Sequence, residues 1–201
     1  MTKVVTSNQS RANIYKLLSL CYQPPYEDLA NIVSSLREEI DKLPAIKYKI
    51  GTLAEELASC ISDLEHTKVD HAKLFIGPFD LLAPPYGSIY LEGKRKVMGD
   101  TTMEVMKKYQ EAGLKLDDEF KEPPDHITIE LEFMYYLIFK ELQGQETNEY
   151  QTEFLINYLE PWVGEFCHRI FQNAGSEFYK LLAKITASFI KADMKDNSLV
   201  C

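Results

Sequence analysis

Residues 121–136 of this 201-residue chain read KEPPDHITIELEFMYY, and they predict the start of a buried helix. The paired prolines at 123 and 124 favour an extended backbone before them, so a helix begins only after them. Apolar residues from Ile127 to Ile138 then occur on nearly every side of that helix, which is typical of a central, buried element. We therefore expect Asp125 and His126, at its first turn, to lie where a cleft opens beside the core.

Two interpretations of this helix start are open from the sequence. In the first, Asp125 is the N-cap, Glu122 is a solvated loop residue and His126 is an ordinary first-turn residue. Such a cap satisfies free backbone N–H groups and contributes about 1 kcal/mol. In the second, the three side chains face a ligand, where a hydrogen bond to a charged group contributes about 1.5–3 kcal/mol. Spacing alone does not choose between them.

Apolar residues follow helical spacing along most of the remaining chain, and no internal repeat is present. Thr101 and Glu104 match a capping box, and Pro161 matches the first position of a helix. A short helix is expected through Leu74 and Phe75. The other helices are predicted near residues 14–21, 29–40, 50–64, 101–112, 125–142, 147–159, 161–174 and 176–189. The chain therefore predicts an all-α fold, a single-domain helical bundle of about eight to ten helices over residues 1–201.

The segment 77–99 differs from these helices because it contains three prolines and four glycines. Neither a helical nor a strand period is visible across it. Connections of this length are uncommon in compact domains and are usually binding loops, lids or linkers. Its many aromatic and aliphatic residues indicate that this long Pro/Gly-rich loop packs onto the body of the protein.

Composition excludes several classes of protein. A net charge of −9 argues against a nucleic-acid binder, because phosphate recognition requires a basic surface. No apolar run is long enough to cross a bilayer, and the N-terminal residues lack the apolar core of a secretory signal. We expect a cytoplasmic protein without stable membrane insertion. Four widely spaced cysteines without a C-x-x-C pair agree with free thiols in a reducing compartment: Cys21, Cys60, Cys167 and Cys201.

Motifs for metal binding and catalysis are weak. His126 and Glu130 lie four residues apart, but the second Glu-x-x-His pair of a di-iron site is missing, so no metal or cofactor is expected. Phosphate-binding glycine motifs are also absent. A triad of Ser88, His126 and Asp125 can be written down, although an Asp next to a His cannot easily orient its ring. The alternative function is a helical enzyme, or a nucleotide- or cofactor-binding protein, that uses these three residues.

Four segments together resemble the TorD/DmsD family of redox-enzyme maturation chaperones. The resemblance extends over most of the chain, and the order and spacing of the segments also agree. Each motif alone is weak, and their combination is more specific. The segments are LFIGP at 74–78, PPYGSIY at 84–90, EPPDH at 122–126, and FL…LEPW between 154 and 162.

The resemblance implies an all-helical chaperone without enzymatic activity. Such a protein binds the twin-arginine leader peptide and the apo-form of a molybdenum or tungsten oxidoreductase catalytic subunit, and it delays export until the cofactor is inserted. The client and a homodimeric state stay undetermined. The resemblance assigns leader binding to Glu122, Asp125, His126, Pro85, Tyr86, Ser88, Tyr90, Leu74 and Phe75.

Physical chemistry is compatible with this implied function. A twin-arginine leader joins a cationic segment to an apolar one. Glu122 and Asp125 are candidate acceptors for guanidinium groups, and the apolar loop can cover the second segment at about 25 cal/mol per Å² buried. Two positions depart from many relatives, since His71 replaces an aromatic residue and Tyr158 replaces a histidine. These departures bear on the client rather than on the family.

Overall fold

The computed structural model describes residues 2–61, 63–77, 81–93, 99–114 and 122–197, with side chains from 7 to 195. These ranges contain α-helices, two π-helical segments and no β-strand, which confirms the predicted all-α class. The elements are α1 (Thr2–Cys21), α2 (Leu29–Asp41), α3 (Pro44–Ser59), α4 (Leu64–His71), π1 (Ala72–Ile76), α5 (Gly87–Leu91), α6 (Asp100–Glu111), α7 (Ile127–Leu142), α8 (Asn148–Phe154), π2 (Leu155–Leu159), α9 (Glu160–Asn173) and α10 (Glu177–Asn197).

Helix α7 is the buried helix that the sequence predicted, and it lies along α1. The Ser19 hydroxyl of α1 donates a hydrogen bond of 2.9 Å to the carbonyl of Thr128, and Lys16 forms an ion pair with Glu132. The apolar side chains of α7 are buried on more than one face: Ile127, Leu131, Phe133, Met134, Leu137 and Ile138. Burial of this kind anchors the start of α7 in the core.

The other long helices pack in sequence around this pair. Helix α2 contacts α1 and α3, while α10 contacts α3 and α9. Asp70 on α4 joins α4 to the start of α10, because its carboxylate accepts N–H donors from Gly175 and Ser176 at 3.0 and 2.9 Å. The chain thereby closes into a helical bundle with one connected core.

Some predicted helix ends are wrong. The helix expected over 50–64 ends at Ser59, and α4 begins after Asp63, whose side chain accepts the N–H of His66. The Thr101–Glu104 capping box does not form, because Gly99 is the N-cap of α6. The N–H of Thr101 instead donates to Glu92 Oε1 at 2.9 Å. Glu92, which lies before the helix, thus replaces the capping box expected within it.

The segment 77–99 contains a helix that its sequence pattern did not predict. Residues Gly87–Leu91 form α5, a single turn too short to produce a visible period. The expected packing onto the body is observed, since Ala83 is fully buried and its N–H donates to the carbonyl of Leu74 at 3.0 Å. Pro78 and Phe79 of this segment, and Cys201, lie outside the described residues.

Two further expectations concern the thiols and the membrane. Cys21, Cys60 and Cys167 are free thiols. Among the described residues, no helix has both the length and the apolar character that crossing a membrane would require.

Candidate functional site

The starts of α5 and α7 lie side by side and are joined through their backbones. The N–H of Gly87 donates to the carbonyl of Asp125 at 2.9 Å, and the N–H of Ile127 donates to the carbonyl of Pro85 at 2.8 Å. Tyr86 and His126 thus form an antiparallel bridge. The proline loop and the Glu-Pro-Pro-Asp-His segment, 36 residues apart in sequence at Tyr86 and Glu122, form one structural unit.

Asp125 is not the N-cap of its own helix, so that interpretation is corrected. His126 is the N-cap of α7, because its Nδ1 accepts the N–H of Thr128 at 3.2 Å. The Asp125 side chain, fully buried at 0% exposure, turns the other way, and its Oδ2 accepts the N–H of Ser88 at 2.8 Å. It therefore caps α5.

A cleft of about 380 Å³ opens where α5 and α7 begin. Five of the nine predicted site residues line it: Phe75, Pro85, Tyr86, Glu122 and His126. The other four do not. Leu74, Ser88 and Asp125 are completely buried behind the wall, and the ring of Tyr90 stacks on Trp162 of α9.

Sequence reasoning missed the other side of the cleft. The end of α1 contributes Tyr22, Gln23 and Pro24, and the π1 region contributes His71 and Ile76. Leu81, Ile127 and Thr128 complete the lining. The proline pair at 24 and 25 was a usable signal, since it resembles the pair at 123 and 124 that marks the opposite wall.

The polar lining of the cleft includes Glu122 and Tyr86. The Tyr86 hydroxyl donates to Glu122 Oε2 at 3.0 Å, and its ring lies edge-on to His126, with 5.3 Å between ring centres. Burial, and then the hydrogen bond to Glu122, raise the pKa of Tyr86 above its ordinary value. The phenol therefore stays protonated, and the exposed Glu122 gives the cleft an acceptor.

His126 is a neutral group at pH 7. Burial lowers its pKa to about 4, an effect that Glu122 and Asp125 oppose and His71 reinforces. Since Nδ1 accepts a hydrogen bond from Thr128, the ring proton is on Nε2. Burial also lowers the pKa of His71. A cationic ligand would thus meet a carboxylate and a phenol without facing an imidazolium.

Apolar side chains that line the cleft or lie next to its lining are exposed. Ile76 is 60% exposed and Leu82 is 41% exposed, although both are large aliphatic residues. They lie on the two segments that the Ala83–Leu74 hydrogen bond holds together. Exposed apolar side chains that cluster beside a cleft are typical of a binding surface.

The alternative catalytic and metal-binding arrangements are not assembled. Ser88 contacts Asp125 through its backbone N–H, and its buried hydroxyl has no hydrogen-bond partner. His126 Nδ1 is occupied by Thr128 rather than by a carboxylate that could orient the ring. Within the described ranges, no group of three or more His, Cys, Asp or Glu side chains could hold a metal ion.

Known proteins resemble this chain in sequence and in fold. A family described as the nitrate reductase delta subunit matches residues 43–168. The chaperone protein TorD of Shewanella piezotolerans is 26% identical over 203 residues, covering 94% of this chain and 92% of the relative. The Tat proofreading chaperone DmsD of Salmonella typhimurium is 29% identical over 114 residues, covering 56% and 53%. A crystal structure of an Archaeoglobus fulgidus protein assigned to redox enzyme maturation superposes with a TM-score of 0.53 and 26% identity, covering 92% of each chain.

Proposed function

Because the chain belongs to the nitrate reductase delta subunit family, we propose that it is a cytoplasmic assembly chaperone for a molybdenum or tungsten oxidoreductase. It binds the twin-arginine leader and the apo-form of the catalytic subunit, and it delays export until the cofactor is inserted. The similar proteins are named chaperones and a redox enzyme maturation protein. These names confirm the expected TorD/DmsD family and a chaperone rather than an enzyme.

One observation carries the proposal of leader binding: the cleft is lined by an acidic side chain and by apolar side chains. Glu122 accepts a hydrogen bond from Tyr86, the exposed Ile76 lines the cleft, and the exposed Leu82 follows the lining residue Leu81. A twin-arginine leader likewise combines a cationic segment with an apolar one. Arginine suits this cleft, since its planar guanidinium binds carboxylates through two parallel hydrogen bonds and also stacks on aromatic rings.

The nine predicted residues divide into two roles in this proposal. Glu122, Tyr86, His126, Pro85 and Phe75 line the cleft and contact the leader. Leu74, Ser88 and Asp125 are too deeply buried for direct contact, and the ring of Tyr90 stacks on Trp162. Asp125, Ser88, Leu74 and Tyr90 hold the cleft wall in place from behind.

The decisive experiment measures leader affinity by isothermal titration calorimetry. The probe is a synthetic leader from a molybdoenzyme catalytic subunit encoded in the same genome. Glu122→Gln is expected to weaken binding about tenfold or more, because it removes a charged hydrogen-bond acceptor worth about 1.5–3 kcal/mol. Changing both leader arginines to lysine should weaken binding further, since lysine lacks the planar fork.

Glu149→Gln is the matched control. This residue is exposed on α8 and does not line the cleft, so the net charge changes equally while leader affinity is retained. Equal losses of leader affinity in the two variants would show that Glu122 acts only through the net charge of the protein and not through direct contact. A wild-type chain that does not bind the leader would refute the proposal.

A further inference from the structure

We infer that Glu130 and Trp162 are positioning residues for the cleft, an inference that rests on the leader binding proposed above. Glu130 lies on α7, one turn after His126, and is only 1% exposed. The Nε1–H of Trp162 donates to its Oε2 at 3.0 Å. Because Trp162 belongs to α9 and also contacts α5, this hydrogen bond connects three helices directly behind the cleft wall.

Glu130 is a carboxyl group in the core. Burial raises its pKa well above the ordinary value, the hydrogen bond from Trp162 opposes this shift, and the nearby Asp125 reinforces it. Isolated charge in an apolar interior is very costly, and a neutral carboxyl with a hydrogen bond costs far less. Leucine would fill the same space without any such cost, so packing alone does not account for a carboxyl group here. Its distinguishing property is the acceptor oxygen that fixes the edge of the indole ring.

The indole of Trp162 in turn fixes α5. A Cβ atom added to Gly87 would lie 2.9 Å from Nε1, so the backbone of α5 rests directly on this edge of the ring. The ring of Tyr90 stacks on the indole with 5.5 Å between centres, and the guanidinium of Arg169 lies 4.8 Å from the Tyr90 ring centre.

The cleft wall is therefore attached at two places. Asp125 holds the start of α5 to the start of α7, and Trp162 supports α5 from behind. Pro85 and Tyr86, which face the leader, immediately precede α5. A rotation of the indole would displace α5 and move Tyr86 away from His126 and Glu122. Glu130 acts on the leader through Trp162, without touching it.

The test compares two substitutions of one residue. Glu130→Gln keeps a neutral side chain with a carbonyl oxygen that accepts the Trp162 Nε1–H. Glu130→Leu keeps similar volume but has no acceptor. Leader affinity is measured for both, together with the emission spectrum of Trp162, which is the only tryptophan in the chain.

We expect Glu130→Gln to bind the leader within about twofold of the wild type, and Glu130→Leu to bind about tenfold or more weakly. The leucine variant should show a shifted tryptophan emission and an unchanged or higher melting temperature. A role in stability alone would lower the melting temperature and the affinity together. Trp162→Phe, which keeps an aromatic ring without the N–H group, should reproduce the loss of affinity if Glu130→Leu does not fold.

Two results would overturn the inference while leaving the proposed function intact. One is wild-type affinity in both Glu130→Leu and Trp162→Phe. The other is a loss in Glu130→Gln as large as that in Glu130→Leu. A wild-type chain that binds no leader would overturn the proposed function, and the positioning role with it.

Discussion

His126 has two roles, because it caps a helix and also lines the cleft. Its Nδ1 caps α7 by accepting the N–H of Thr128, while the ring also lines the cleft. A capping role requires an unprotonated Nδ1, and burial maintains that state by lowering the pKa to about 4. The capping bond and the absence of positive charge in the cleft therefore depend on the same neutral ring.

This dependence predicts a loss of stability in acid. An unfolded histidine has a pKa of about 6.5, so the unfolded chain binds more protons than the folded one between pH 6.5 and 4, and the free energy of unfolding falls as pH falls. His126→Asn keeps a good capping group and removes the titration. Urea unfolding at pH 7.5 and 4.5 should show a decrease smaller by about 2–3 kcal/mol in the variant. Equal decreases would show that His126 is not the responsible group.

The sequence predicted the importance of Asp125 but not the helix that it caps. Capping rules relate a side chain to N–H groups two or three residues ahead, and here the partner is Ser88, 37 residues away. Only the folded chain brings these residues together. Thr101 is a second case in which the local partner is replaced, because its N–H donates to Glu92 and not to a residue at the start of its own helix.

At the level of elements, α5 shows how a single turn can be specified by its surroundings. Isolated helices of five residues are unstable in water. Here Asp125 satisfies the N–H of Ser88, and the Trp162 ring packs against Gly87. Periodicity could not reveal this helix, because five residues are too few to show the i, i+3, i+4, i+7 pattern of apolar residues.

The close contact at Gly87 gives an element-scale prediction. Gly87→Ala is expected to destabilise the protein by about 1–3 kcal/mol, because the new methyl group would lie too close to the Trp162 indole. Gly164→Ala is the control, since a Cβ there meets no atom within 4 Å and alanine favours the helix by about 0.5–1 kcal/mol. Urea unfolding of both variants measures the difference. Equal stabilities would mean that α5 can move away from α9 at little cost.

At the level of the whole molecule, a buried polar network joins the first and last helices. Arg11 Nε lies 2.5 Å from Asp193 Oδ1, and the Tyr15 hydroxyl donates to Asp193 Oδ2 at 2.7 Å. A second nitrogen of Arg11 donates to Gln151 on α8 at 2.7 Å. These contacts hold α1, α8 and α10 together at one place in the bundle.

Removal of one member of this network should destabilise the whole fold. Asp193→Asn leaves the part-buried Arg11 without its counter-charge, so we expect a loss of up to about 3–5 kcal/mol in the free energy of unfolding. Glu177→Gln, in the same helix, breaks an exposed pair with Lys180 and should leave the free energy of unfolding almost unchanged. Chemical denaturation distinguishes the two. A small loss for Asp193→Asn would show that Arg11 finds other acceptors.

The all-α class was predictable because helical periodicity is a local property of sequence. The acidic wall of the cleft was partly predictable, since Glu122 and His126 belong to one short segment. Its other wall was not, because Tyr22 at the end of α1 and His71 beside π1 meet only in three dimensions. The nitrogen Nε2 of His71 lies 3.3 Å from the carbonyl of Tyr22.

The backbone bonds between α5 and α7 also determine how the cleft wall opens. The N–H groups of Gly87 and Ser88 both donate to Asp125, and the N–H group of Ile127 donates to Pro85, so none can exchange with solvent unless the two segments joined by this bridge separate. These three N–H groups are therefore expected to exchange together, in one local opening that separates α5 from the start of α7. A segment that its sequence predicts as a loop is thus protected from exchange by its contact with the start of a core helix.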